Sequence, residues 1–117
     1  MSTPSVEGSI KAPSVEDSIK ALEFKNEGNA HIKKQEYPAA IDLYTKAIEL
    51  DATQSIYFSN RALAHLKLDN FQSSLSDCDT ALALDPKNFK AYHRRGLAHI
   101  GLLQFKQARN DLQVVLK

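Results

Sequence analysis

The chain repeats itself every 34 residues. Gly28, Ala62 and Gly96 stand at that step, as do Phe24, Phe58 and Tyr92, and His31, His65 and His99. Ala40, Ser74 and Ala108 keep it, and so do Tyr44, Cys78 and Leu112, and Ala47, Ala81 and Val115. A fixed period of this length means one supersecondary unit used several times over, with each unit burying its apolar face on the next. Within a unit, apolar and small residues recur at helical spacing: Phe24, Gly28 and Ile32, then Ala40, Leu43, Tyr44, Ala47 and Ile48. Each unit therefore reads as two helices. The first helices are expected over about 21–34, 54–68 and 88–103, and the second over about 38–50, 71–84 and 105–116. Pro38 suits a first turn, where its missing N–H costs nothing, and Asp85-Pro86 marks a helix end. The Gly/Ala columns let paired helices approach closely. The fold class is all-α: a solenoid of three helix-turn-helix repeats, 21–54, 55–88 and 89–117. The third unit would leave Leu112, Val115 and Leu116 facing solvent with no polar helix after them, so we expect a longer parent protein of which this is the N-terminal part.

Residues 1–20 read differently. Pro4–Ala12 is PSVEGSIKA and Pro13–Ala21 is PSVEDSIKA, a nine-residue duplication that differs only at Gly8 and Asp17. Its Ser/Pro content and lack of large apolar groups read as a flexible tail. The second copy also carries a helix start, with Ser14 as N-cap and Asp17 three residues on. Bulk charge is nearly balanced, at net +1, which argues against nucleic acid and against an anionic membrane surface. The single cysteine, Cys78, rules out a disulfide framework within the chain and fits a reducing compartment. The apolar runs are too short to span a bilayer and the N-terminus lacks a secretory signal. We expect a soluble intracellular chain.

Function must then come from local arrangement. Numbering each unit from its first residue (Ala21, Ser55, Phe89), columns two, five, six and nine of the first helices fall on one helix face. The polar residues there include Lys25 and Asn29 in unit one, Asn60 in unit two, and Lys90 and Arg94 in unit three. Lys90 and Arg94 are four apart and share a helix face. No acid sits among the five. Three cations supply charge-assisted hydrogen bonds and two amides give direction. Such a set is either a solvated surface or a socket for an anion, and a peptide C-terminus ending in Asp, with two adjacent carboxylates, fits the socket.

Other chemistry finds little support. His31, His65 and His99 share a column, but neighbouring repeats stand about 10 Å apart, too far for three rings on one metal ion. They read as packing residues, as does Cys78. His93 lies beside the cationic set. Ser73, Ser74 and Ser76 have no base nearby for nucleophilic catalysis. Asp77 and Asp79, two apart on a helix, face different ways. No glycine-rich phosphate loop is present.

A 34-residue helix-turn-helix with an aromatic at column four, Gly or Ala at eight, Ala at twenty and Asp-Pro near its end resembles the tetratricopeptide repeat, which stacks into a right-handed superhelix. Departures are Glu27, Arg61 and Arg95 at column seven, where Leu is usual, His at column eleven, and Asp51-Ala52 in place of the first Asp-Pro. The resemblance implies that columns two, five, six and nine face the hollow side of the stack, and in their contexts KNEGN, YFSNR and KAYHR the five residues resemble the dicarboxylate clamp of tetratricopeptide domains that hold the C-terminal Glu-Glu-Val-Asp of cytosolic heat-shock chaperones. That resemblance implies that Lys25, Asn29, Asn60 and Lys90 hold the terminal Asp, and that Arg94 takes oxygens further up the peptide. It also implies an apolar pocket at Leu63, Leu66, Leu97 and Ile100.

The segments ATQSIYFSNRALAH, LDPKNFKAYHRRGLAHIGL and QFKQARNDLQVVLK are similar to the N-terminal domain of type 5 serine/threonine protein phosphatases, fungal forms in particular. This implies a regulatory domain that docks on heat shock protein 90 or 70 and covers the phosphatase site in cis, in the cytoplasm and nucleus. The residues present would carry no catalysis, cofactor or metal, while the parent phosphatase would hold two metal ions. The alternatives are a clamp domain of a non-phosphatase co-chaperone or immunophilin, and a scaffold indifferent to carboxylates.

Overall fold

The computed structural model describes residues 12–117. Six helices follow in order: α1 (Val15–Lys33), α2 (Tyr37–Leu50), α3 (Ser55–Lys67), α4 (Phe71–Leu84), α5 (Phe89–Gly101) and α6 (Phe105–Leu116). The described residues contain no strand. The pairs α1–α2, α3–α4 and α5–α6 pack within repeats, and α2–α3 and α4–α5 pack between them. The first helices also touch, α1 with α3 and α3 with α5. That contact turns one face of each toward a shared groove.

α1 begins at Val15, inside the stretch expected to be tail. Ser14 Oγ accepts from the Asp17 amide at 3.0 Å, and Glu16 and Asp17 sit at the positive end of the helix dipole. A cap and two acids in the first turn are enough to carry the helix back through the second copy of the duplication, so the tail boundary at residue 20 is corrected to before Ser14. Residues 1–11, which hold nearly all of the first copy, lie outside the described residues.

The turns repeat with the same period. Gln35, Asp69 and Leu103 have φ of 61°, 59° and 61°. In each case the next amide reaches back to a histidine carbonyl: Glu36 to His31 at 2.9 Å, Asn70 to His65 at 2.8 Å and Gln104 to His99 at 2.8 Å. These are Schellman ends, which satisfy carbonyls left over by the helix. Between repeats, the Asp51 carboxylate accepts from the Thr53 amide and the Asp85 carboxylate from the Lys87 amide, both at 3.0 Å. The aspartate thus shapes this turn whether alanine or proline follows it.

The core is built from the repeating columns. Ala40, Ser74 and Ala108 are all buried, as are Ala47 and Ala81. Val115, next in that last column, is exposed because no described helix packs over it. Column seven does something the periodicity did not announce. Arg61 on α3 grips Asp77 on α4 through Nε at 2.8 Å and Nη2 at 2.7 Å, and reaches Thr45 on α2 through Nη1 at 3.0 Å. Arg95 repeats the device, with two bonds of 2.8 Å to Asp111 and one of 2.9 Å to Asp79. Each arginine ties its own repeat to the preceding one. His65 and His99 stand beside the same aspartates, at 3.9 and 3.6 Å, while His31 meets Glu36 at 2.7 Å. Among the described residues no group of three or more His, Cys, Asp or Glu is placed to hold a metal ion.

Candidate anion-binding groove

The groove is joined across all three repeats. Asn60 Nδ2 on α3 donates to Asn29 Oδ1 on α1 at 3.3 Å. Arg94 Nη1 on α5 donates to the carbonyl of Ser59, the neighbour of Asn60, at 2.9 Å. Lys25 and Lys90 lie one turn before Asn29 and Arg94 on the same helices, so they share those faces.

Electrostatically the set is unbalanced toward positive. Among the described residues the ion pairs engage Arg61, Arg95 and the column histidines, and none engages Lys25, Lys90 or Arg94. Lys90 is exposed, and Lys25 and Arg94 are half-buried. Burial pushes the Arg94 pKa down, against smaller opposing effects of Cys78 and Tyr44. A guanidinium starts so high that it stays charged at neutral pH. A cation that has lost part of its water and keeps only a carbonyl partner gains from meeting a carboxylate.

Asn29 is held from beneath by Tyr44 on α2, whose hydroxyl donates to Asn29 Oδ1 at 2.5 Å. The helical periodicity by itself offers Tyr44 only as a packing residue. The missed signal was in its column, where Tyr44 is followed by Cys78 and Leu112 and so carries the only hydroxyl.

Two hollows are lined by residues of both α3 and α5. One, of about 580 Å³, is lined by Ser55, Ile56, Ser59, Asn88, Phe89 and Lys90 among others. Asn88 organises its floor, donating to Ser55 Oγ at 2.8 Å and Ser59 Oγ at 3.2 Å while capping α5. The other, of about 230 Å³, is lined by Leu63, Leu66, Lys67, Phe71 and Leu97. Three of the four expected apolar residues meet there. Ile100 does not and lines a separate hollow with Phe105 and Leu112. Phe71 stands in its place, its ring lying against Gly101 where a Cβ would come within 2.4 Å.

With this geometry in hand, the likenesses to known proteins are specific. A family model described as TPR repeat matches residues 28–69. The first TPR of Spaghetti (RPAP3), solved bound to the HSP90 peptide SRMEEVD, matches with a TM-score of 0.83 and 40% identity, covering 85% of this chain and 79% of that one. The chain belongs to the tetratricopeptide repeat (TPR) family. The second TPR domain of human RPAP3, in complex with the HSP70 peptide SGPTIEEVD, matches this TPR domain with a TM-score of 0.81 and 34% identity, over 86% of this chain and 83% of that one. Serine/threonine-protein phosphatase T of Saccharomyces cerevisiae is 61% identical over 55 residues, which are 47% of this chain and 9% of that protein. The matched segment thus spans under a tenth of the length of this curated relative.

Proposed function

We propose that this TPR domain grips the C-terminal acidic peptide of heat shock protein 90, and in the same way that of heat shock protein 70. One observation carries the proposal: hydrogen bonds join Asn29, Asn60 and the Arg94–Ser59 contact across three repeats, Lys25 and Lys90 lie on the same helix faces, and no ion pair among the described residues engages the three cations. Lys25, Asn29, Asn60 and Lys90 hold the terminal residue with its two carboxylates. Arg94 takes oxygens one step up the chain. The hollow at Leu63, Leu66, Phe71 and Leu97 receives an apolar side chain further along. Each charge-assisted bond contributes about 1.5–3 kcal/mol. After the cost of ordering a peptide, this leaves micromolar affinity, about −8 kcal/mol. The RPAP3 domains solved with peptides ending in EEVD support this reading.

The parent is proposed to be a protein serine/threonine phosphatase, cytoplasmic and nuclear, in which this domain docks the enzyme on the chaperone and covers the catalytic site until a ligand relieves the block. The phosphatase T likeness supports it. The RPAP3 likeness supports a second reading of the parent, a co-chaperone without a phosphatase; groove and ligand are the same in both.

Calorimetric titration with a Glu-Glu-Val-Asp peptide as the free acid and as the C-terminal amide tests the ligand. The acid should bind at micromolar concentration and the amide at least about tenfold more weakly, a loss of about 1.4 kcal/mol. Equal binding of the two would overturn the reading. For the parent, adding this domain in trans to the phosphatase domain should slow turnover, and the peptide should restore it.

A further inference from the structure

We infer that Tyr44 is a positioning residue for the groove, fixing the Asn29 amide so that its NH₂ faces the bound carboxylate. The inference rests on the reading of the groove as a carboxylate site and deepens it.

Asn29 Oδ1 accepts twice, from the Tyr44 hydroxyl at 2.5 Å and from Asn60 Nδ2 at 3.3 Å. An amide oxygen has two lone pairs, so both are in use. What remains of the side chain is its NH₂, two donors with no described partner. Turning the amide over would set its NH₂ against the NH₂ of Asn60 and present a carbonyl to an incoming anion, which repels it. The 3.3 Å contact alone is a weak lock. The Tyr44 bond is the strong half of it.

Tyr44 is suited to this and to little else beyond packing. The residue is 1% exposed, and among the described residues the hydroxyl has no other partner. Phenylalanine would fill the same space. Burial pushes its pKa up to about 12, with Arg94 a smaller opposing influence, so the hydroxyl keeps its proton and donates throughout the neutral range. In the other two repeats the column carries Cys78 and Leu112, and neither of those repeats supplies an amide at the position of Asn29, where Leu63 and Leu97 stand. Hydroxyl and amide occur together, in unit one. Gly28 belongs to the same device: a Cβ there would stand 2.7 Å from Tyr44 Cε1 and push the ring, with its hydroxyl, away from Asn29.

Tyr44→Phe keeps the ring and removes the bond. Two measurements test the inference. In the ligand-free protein, the side-chain NH₂ resonances of Asn29 should be a single sharp pair that broadens or shifts in Tyr44→Phe, with the Asn60 pair moving alongside; pairs that stay in place would overturn it. In titration, Tyr44→Phe should bind the free-acid peptide about tenfold more weakly while binding of the amide stays unchanged. Adding Tyr44→Phe to Asn29→Ala should cost nothing further. A merely structural tyrosine would lower the unfolding midpoint, leave the acid-to-amide ratio alone and add its full effect to Asn29→Ala, and that result would overturn the inference. Should the unaltered protein fail to prefer acid over amide, the carboxylate reading itself fails, and the resonances still decide whether Tyr44 orients Asn29.

Discussion

A Cβ on Gly28 would stand 2.7 Å from Cε1 of Tyr44, closer than two carbons come unless one of them moves. The same two columns hold Ala62 with Cys78 in unit two, and Gly96 with Leu112 in unit three, where a Cβ would stand 2.8 Å from the leucine. A large side chain on the second helix is matched with glycine on the first, and a small one with alanine. Gly28→Ala should therefore destabilise the domain by about 1–3 kcal/mol through overpacking. Tyr44→Cys in the same chain, recreating the pair of unit two, should recover part of that loss. Urea unfolding of the two single variants and the double variant measures both, and strict additivity would show that the columns do not touch as described.

Lys25→Ala should abolish binding of the acidic peptide and leave the unfolding midpoint within about 0.5 kcal/mol, since the lysine has no described ion-pair partner. Arg94→Ala differs. Its guanidinium is half-buried and bonded to the Ser59 carbonyl, so its loss should cost about 1 kcal/mol of stability as well as binding. Calorimetry paired with thermal melts by circular dichroism separates the two effects. Binding by the unaltered domain should also weaken steadily between 50 and 500 mM salt, since partly exposed charges are screened on that scale, about 10 Å at 0.1 M.

Asp77 is buried and receives two bonds from Arg61. Asp77→Ala strands a half-buried guanidinium and should cost about 3 kcal/mol, near the low end for breaking a buried pair. Unit one shows how to remove the pair without that cost, because Leu43 occupies the aspartate column there. Asp77→Leu combined with Arg61→Met should be much milder than Asp77→Ala alone, and chemical denaturation of the three proteins tests the ordering.

The fold was legible because a repeat announces itself: six columns in register leave few architectures open. The groove was legible for the same reason, since columns on one helix face convert spacing into direction. What escaped lay between helices. Arg61 and Asp77 are 16 residues apart on two different helices, and no single-helix rule pairs them, although the recurrence of both in Arg95 and Asp111 held the clue. The start of α1 separates two readings of one stretch: the serine-and-proline composition says tail up to residue 20, while the Ser14 cap says helix, and the cap prevails. Ile100 lines a different hollow from Leu63, Leu66 and Leu97, beside which stands Phe71, the first residue of the preceding repeat's second helix.

Leu103 occupies the left-handed region at φ 61° and is 74% exposed. A leucine there carries a steric cost of about 1–2 kcal/mol with no compensating burial, and glycine carries none beyond its chain entropy. Leu103→Gly should stabilise the domain by about 0.5–1 kcal/mol, read as a rise in the urea midpoint. Gln35→Gly should behave alike, since the same turn recurs there.

Burial pushes the His65 pKa below its ordinary 6.5, with Asp77 opposing and Arg61 adding to the fall. The unfolded chain then binds more protons than the folded one once the pH drops past that ordinary value, so stability is full above about pH 6.5 and declines below it. The unaltered protein should lose more stability between pH 7.5 and pH 5 than His65→Asn does. Parallel slopes for the two, from midpoints measured across that range, would show that this ring contributes nothing to the acid side of the profile.

Asn29, Asn60 and Arg94 come from three successive repeats, and each leans on the next. No piece smaller than the assembled array holds all three, so on the proposed function fraying at either end should release the ligand while the middle is still folded. On the same proposal a bound tail should act in return as a stitch through all three units, slowing amide exchange along the full length of the superhelix, far from any atom the tail touches.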